Sequence, residues 1–288
     1  MNADESTSGG SGCLGGQRRM DDPVGVFDSG IGGLTVAAAL RDVLPCEKII
    51  YIGDTARVPY GGKSAETIER YAVEIGGMLL SEGAKAIVVA CNTASALAIG
   101  RLREVFSVPV IGVIEPGARA AVEASRNGKV GVIGTRATIR SGAYERHIQT
   151  IRADFRVYAR ECPLLVPLIE EGWLDDEVTE VVIQRYLGDV LSQGVDTIVL
   201  GCTHYPLLRA ALARIVGPEV SLVDSAKNCA DEVRKVLLEN NLLASGNSGS
   251  LAVSFTDPSG PFLRVAVDAL GLAISSAGVM RLQQIRPV

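Results

Sequence analysis

The sequence predicts an α/β fold with mainly parallel sheets, built as two halves on one plan. Three observations carry this. Short β-branched apolar runs alternate with longer stretches of helical periodicity, the order that makes strand–helix–strand units. The strand segments are apolar throughout instead of alternating, as strands covered on both faces must be. Two pieces also recur at nearly equal offsets. Val24-Gly-Val-Phe-Asp-Ser29 resembles Val130-Gly-Val-Ile-Gly-Thr135, 106 residues on, and Val88-Val-Ala-Cys-Asn-Thr93 resembles Val199-Leu-Gly-Cys-Thr-His204, 111 residues on. One such match is within chance; two at nearly equal offsets are less easily dismissed and point to two halves on one plan.

Residues 1–20 are rich in Gly and Ser and hold no apolar run that would make a signal peptide, so they read as a flexible tail. The first strand, 24–27, ends in Asp28-Ser29-Gly30-Ile31-Gly32-Gly33. Glycines there allow a tight turn and close backbone approach, and the N–H groups opening the next helix, 34–44, favour an anion. The spacing is not that of the dinucleotide fingerprint, and a plain turn capped by Asp28 or Ser29 is the competing reading. Strand 48–52 leads into the polar loop 53–62, where Tyr60 and Gly61 either grip a small molecule or simply make a turn. Helix 64–82, strand 86–90 and helix 94–105 follow, with Cys91-Asn92-Thr93 at the strand-to-helix junction. Next come strand 108–113, helix 117–125, strand 130–133, helix 141–149, strand 155–158, and helices 164–171 and 176–192. The series closes with strand 197–200, Cys202-Thr203-His204, helix 205–216 and strand 220–223. Gly or Pro ends several of the helices.

Composition bounds the chemistry. At 288 residues the chain suits about two domains. Its 47% hydrophobic and 21% charged content is that of an ordinary globular protein. A net charge of -5 and no basic run longer than Arg18-Arg19 leave no electrostatic footprint for nucleic acid. The most apolar stretch, 86–99, is broken by Asn92, Thr93 and Ser95, well short of the ~20 apolar residues that span a bilayer. No membrane segment is expected. Six cysteines, none in a C-x-x-C arrangement, fit neither a disulfide scaffold nor a zinc site. Reduced thiols in a cytoplasmic setting are expected.

Cys13, Cys46, Cys162 and Cys229 read as small hydrophobes. Cys91 and Cys202 differ, because each ends an apolar strand and opens a helix whose N-terminus is expected to lower the thiol pKa. His204 stands beside Cys202 and either assists it or satisfies neighbouring polar groups. A protease-like Cys/His pair gives no reason for a second matched cysteine. A redox disulfide leaves the surrounding Asn, Thr and His unexplained. Two one-proton groups on opposite sides of a carbon can remove a proton from one face and deliver one to the other. That chemistry is racemisation without a cofactor.

The segments Gly25-Val-Phe-Asp-Ser-Gly-Ile-Gly-Gly-Leu-Thr35, Tyr51-Ile-Gly-Asp-Thr55, Pro59-Tyr-Gly61, Val89-Ala-Cys-Asn-Thr-Ala-Ser95, Val110-Ile-Gly-Val-Ile-Glu-Pro116, Pro167-Leu-Ile-Glu-Glu-Gly172 and Leu200-Gly-Cys-Thr-His-Tyr-Pro206 resemble the glutamate racemases of the aspartate/glutamate racemase superfamily. They run in the family's order, and the likeness spans about residues 23–271. The Cys-Thr-His-Tyr-Pro form points to glutamate over aspartate. The resemblance implies two pseudo-twofold-related domains, 21–114 plus 225–288 and 115–224, with the active site between them and the last helices returning to the first. It makes Cys91 and Cys202 the acid/base thiols, Asp28 and His204 their polar assistants, and Glu170, with Glu171 beside it, a helper of the second thiol. It gives Asp28, Ser29, Tyr60, Gly61, Asn92, Thr93, Thr203 and His204 to binding of L- or D-glutamate. It implies no pyridoxal phosphate and no metal, a homodimer, and a role in supplying D-glutamate for peptidoglycan and hence cell shape. Two alternatives are another amino-acid racemase of the superfamily, and a non-catalytic, gyrase-binding member. The tail 1–20 has no clear counterpart in the shorter members.

Overall fold

The computed structural model describes residues 18–246, 248–257 and 270–280. In chain order its elements are β1 (Val24–Asp28), α1 (Leu34–Val43), β2 (Lys48–Gly53), α2 (Ala65–Ser81), β3 (Ala86–Val89), α3 (Asn92–Leu97), α4 (Ile99–Val105) and β4 (Val110–Gly112), then α5 (Ile114–Ala124) and β5 (Lys129–Gly134). There follow α6 (Arg136–Arg140), α7 (Ala143–Ile151), β6 (Arg156–Glu161), α8 (Leu165–Glu170), α9 (Glu177–Ser192), β7 (Thr197–Gly201), α10 (Arg209–Val216), β8 (Ser221–Asp224), α11 (Ala226–Glu239), β9 (Ser250–Phe255) and β10 (Ser276–Val279).

The strands form two wholly parallel sheets. One runs β10-β9-β2-β1-β3-β4 and the other β6-β5-β7-β8. Stripped of β9 and β10, the first order becomes the second when every number is raised by four, so the repeat seen in the sequence is a repeat of topology. In each sheet the chain goes first to one side of the opening strand and then to the other. Such a switch point leaves a crevice beyond the carboxyl ends of the two central strands. Cys91 follows β3 and Cys202 follows β7, at equivalent places beside that crevice.

Both faces of each sheet are covered, which is why the strands are apolar throughout. Along β3, Ala86 and Val88 pack into one core layer while Ile87, Val89 and then Cys91 pack into the other. Along β7, Val199 faces one layer, and Ile198, Leu200 and then Cys202 face the opposite one. The period of two carries each cysteine to the same face as the strand residues two and four before it.

Several expected boundaries shift. The helix expected at 94–105 is interrupted at Ala98, two residues before Gly100, the weakest helix former in the stretch. The helix expected from 117 begins at Ile114 because Pro116 falls in its first turn, where a missing N–H costs nothing. The helix expected at 141–149 is preceded by the short α6, whose Thr135 cap accepts a bond from the Thr138 N–H. The stretch 205–216 opens as a 3-10 turn, Tyr205–Leu208, before α10. Beyond 224, β9 pairs with β2 and α11 packs on α1, so the chain's last part returns to the first sheet. Cys13 and most of the tail lie outside the described residues.

Candidate active site

Ser29, Tyr60, Gly61, Cys91, Asn92 and Thr93 from the first sheet's loops, and Cys202, Thr203 and His204 from the second, line one cleft. Val58, Pro59, Thr135 and Val166 complete its wall. Both cysteines are nearly buried. The Cys91 thiol donates to the Ser29 hydroxyl at 3.5 Å. The Cys202 sulfur lies 3.9 Å from His204 Nδ1, and His204 Nε2 is 3.2 Å from Glu170 Oε1. Glu170, and not its neighbour Glu171, therefore touches the imidazole.

Asp28 is wholly buried behind the lining. Its Oδ2 accepts the Gly30 and Gly33 N–H groups at 3.1 and 3.0 Å, and its Oδ1 accepts the Thr203 hydroxyl at 3.4 Å. The anion that these loop N–H groups meet is the chain's own carboxylate, as in the turn reading, and that carboxylate both shapes the glycine loop and reaches across to the second half. Gly32 and Gly33 are required for that approach. A Cβ on Gly32 would lie 2.4 Å from His204 Nδ1, and one on Gly33 2.4 Å from Asp28 Cβ. Tyr60 is held from behind, its hydroxyl donating to Asp54, which also accepts from Arg57 and Thr256. Burial and the Asp54 carboxylate keep the Tyr60 phenol protonated far above its ordinary range.

The charges are asymmetric. Burial, reinforced by Asp28, pushes the Cys91 thiol up to about 12, and the Ser29 hydroxyl and the Ala94 N–H pull it down without prevailing. This corrects the expectation that a helix N-terminus lowers it. The N–H donor is there, but α3 has only six residues and its pull is smaller than the desolvation of a buried thiolate. Nor does Cys202 open an α-helix; a turn and a 3-10 segment follow it. Burial of the His204 ring opposes its protonation, yet the Cys202 sulfur, Glu170 and the charge of Asp28 outweigh this and raise its pKa to about 10. The cleft therefore holds a protonated thiol on one side and an imidazolium against a sulfur on the other.

Thr135, a lining residue that motif reading passed over, had a signal: it is the repeat counterpart of Ser29. Its hydroxyl lies 2.9 Å from that of Thr93 and 3.0 Å from that of Thr138, joining the two halves beside the cleft. Among the described residues, no group of three or more His, Cys, Asp or Glu is arranged to hold a metal, and no helix is long and apolar enough to cross a membrane.

Comparison with known proteins identifies the family. The family model described as Asp/Glu/Hydantoin racemase matches residues 35–233. A glutamate racemase of Geobacter metallireducens is 50% identical over 249 residues, 86% of this chain and 92% of that protein. Among solved structures, the Thermus thermophilus glutamate racemase in complex with β-chloro-D-alanine is 46% identical with a TM-score of 0.83, covering 93% of this chain and 100% of that one. The Francisella tularensis glutamate racemase in complex with D-glutamate is 37% identical with a TM-score of 0.85, covering 91% and 98%. A switch-point cleft lined by paired cysteines and a family match over more than half its length lead to one conclusion: the chain belongs to the Asp/Glu/hydantoin racemase family of isomerases.

Proposed function

We propose that this chain is a cofactor-independent glutamate racemase in which Cys91 and Cys202 are the two bases, one on each face of the substrate α-carbon. The observation that carries the reading is that both cysteines, from equivalent strand ends of two sheets, line one cleft. In one direction the sulfur of one cysteine, as thiolate, takes the α-proton and the C–H electron pair stays on carbon. The thiol of the other then delivers its proton to the opposite face, and the two thiols exchange roles. No electron acceptor is needed. The protonated state of Cys91 and the His204 imidazolium beside Cys202 suit the state in which Cys202 is the base. His204, backed by Glu170, assists that thiol, and Asp28 steadies the Thr203 segment. Asn92, Thr93, Thr203, Ser29, Tyr60 and Gly61 supply donors for the two carboxylates.

The free space in the cleft is about 30 Å³, room for a water or two and not for an amino acid. Substrate entry thus needs the two halves or the loop at 58–61 to part. The product, D-glutamate, suits a cytoplasmic role in supplying peptidoglycan synthesis. Proton NMR of L-glutamate turned over in heavy water tests the mechanism. Early in the reaction deuterium should appear in the D product while the remaining L substrate stays largely unlabelled. Equal early labelling of both pools would mean a single swinging base.

A further inference from the structure

We propose that Tyr144 is a positioning residue that fixes the Asn92 amide, so that Asn92 presents its N–H donor end to a substrate carboxylate. The inference rests on the racemase reading of the cleft and deepens it. Tyr144 is not in the cleft lining. It stands on α7 of the second half, buried, and its hydroxyl donates to Asn92 Oδ1 at 2.7 Å across to the first half. Ser225, the N-cap residue of α11 where the chain crosses back to the first sheet, stands beside the same phenol. Burial pushes the phenol's pKa well above its ordinary range, so it keeps the proton that it donates to Asn92.

The slot for this ring is built by two glycines. A Cβ on Gly201 would lie 3.2 Å from the Tyr144 ring, and a Cβ on Gly117 would lie 3.2 Å from its hydroxyl oxygen and 2.9 Å from Ser225 Cβ. Both glycines have ordinary negative φ, so what they provide is space.

An amide can face a ligand with either end. With Oδ1 engaged by a phenol proton, the end that Asn92 offers to the cleft it lines is Nδ2, a donor. A donor matches a carboxylate and repels an ammonium. Without Tyr144 the amide could turn and present its oxygen, and binding would lose both the donor and the preorganisation.

A double-mutant cycle tests this, with L- and D-glutamate as probes. Tyr144→Phe keeps the ring and removes the proton. It should raise KM for both enantiomers roughly five- to tenfold, the scale of one net hydrogen bond, with a smaller fall in kcat. In an Asn92→Ala background the same change should alter KM by less than about twofold, because the group through which Tyr144 acts is gone. An unchanged KM in Tyr144→Phe, or an equal effect in both backgrounds, overturns the proposal. If Tyr144→Phe does not fold, Asn92→Asp serves, since its carboxylate accepts the Tyr144 proton and has no N–H. Its KM should rise at least as far, and a wild-type KM overturns the proposal. The cycle is also read by calorimetric binding of D-glutamate, so a protein that binds without racemising counts against the racemase reading alone.

Discussion

At the scale of single residues, the two thiols are chemically unequal although the repeat makes them topological equals. Cys91 has Asp28 and burial holding its proton; Cys202 has an imidazole. Replacing either by Ala should lower racemisation by at least about 10³-fold, because a carbanion formed by the surviving thiolate has no donor on its other face. Each variant should still exchange the α-proton of one enantiomer with solvent, and the two should prefer opposite enantiomers. Full racemisation by either variant, followed by circular dichroism, would end the two-base assignment. His204 makes a separate prediction about stability. Its folded pKa of about 10 lies above the ordinary 6.5, so the folded state binds the extra proton. The stabilisation is complete below pH 6.5 and is lost as the pH rises through about 10. Denaturant unfolding of the wild type and His204→Asn across this window should show the wild type's advantage shrinking steadily with pH. A gap that stays constant would mean the ring is neutral when folded.

At the scale of elements, the site depends on how closely the glycine loop before α1 meets the turn after β7. Gly32→Ala would push a methyl group into His204 and the Thr203 hydroxyl, the latter 2.7 Å from the added carbon. A misplacement of about 1 Å near reacting groups costs on the order of 10²-fold, so kcat/KM should fall by about that factor. Gly100→Ala, on the exposed side of α4 with no atom within 4 Å of the added carbon, is the matched control. It should leave turnover unchanged and stabilise the protein by up to about 1 kcal/mol. Wild-type kinetics in Gly32→Ala would show that the loop yields freely. The elements that were legible in the sequence are those with a strong local period, such as β1, β3, β7, α2 and α9. The break at Ala98 and the short α6 were not legible, because one helical turn carries too few residues to show a period. The strand β9 does alternate, with Leu251, Val253 and Phe255 buried, yet its place beside β2 is a pairing across some two hundred residues.

At the scale of the whole molecule, the cleft is a contact between two sheets, so a ligand that fills it should stabilise both. Glutamate at a hundredfold excess over its Kd should add about 2.7 kcal/mol to unfolding, seen as a rise in Tm for the single cooperative transition or for every resolved one. No shift at saturating glutamate would argue that the substrate does not bridge the halves. Local pattern was enough to read the α/β class, the duplicated plan and the placing of Cys91 and Cys202 at equivalent strand ends. These follow from short-range periodicity and from motifs a few residues long, which are written in neighbouring positions. Tertiary packing was needed to show that a strand, β9, extends the first sheet beside β2, that Glu170 and not Glu171 meets His204, and that Tyr144 and Asp54 stand behind Asn92 and Tyr60. It also decided that the Cys91 thiol is raised. Burial and the charges facing a group come from segments distant in the chain, and their sum can reverse what the adjacent helix end would do.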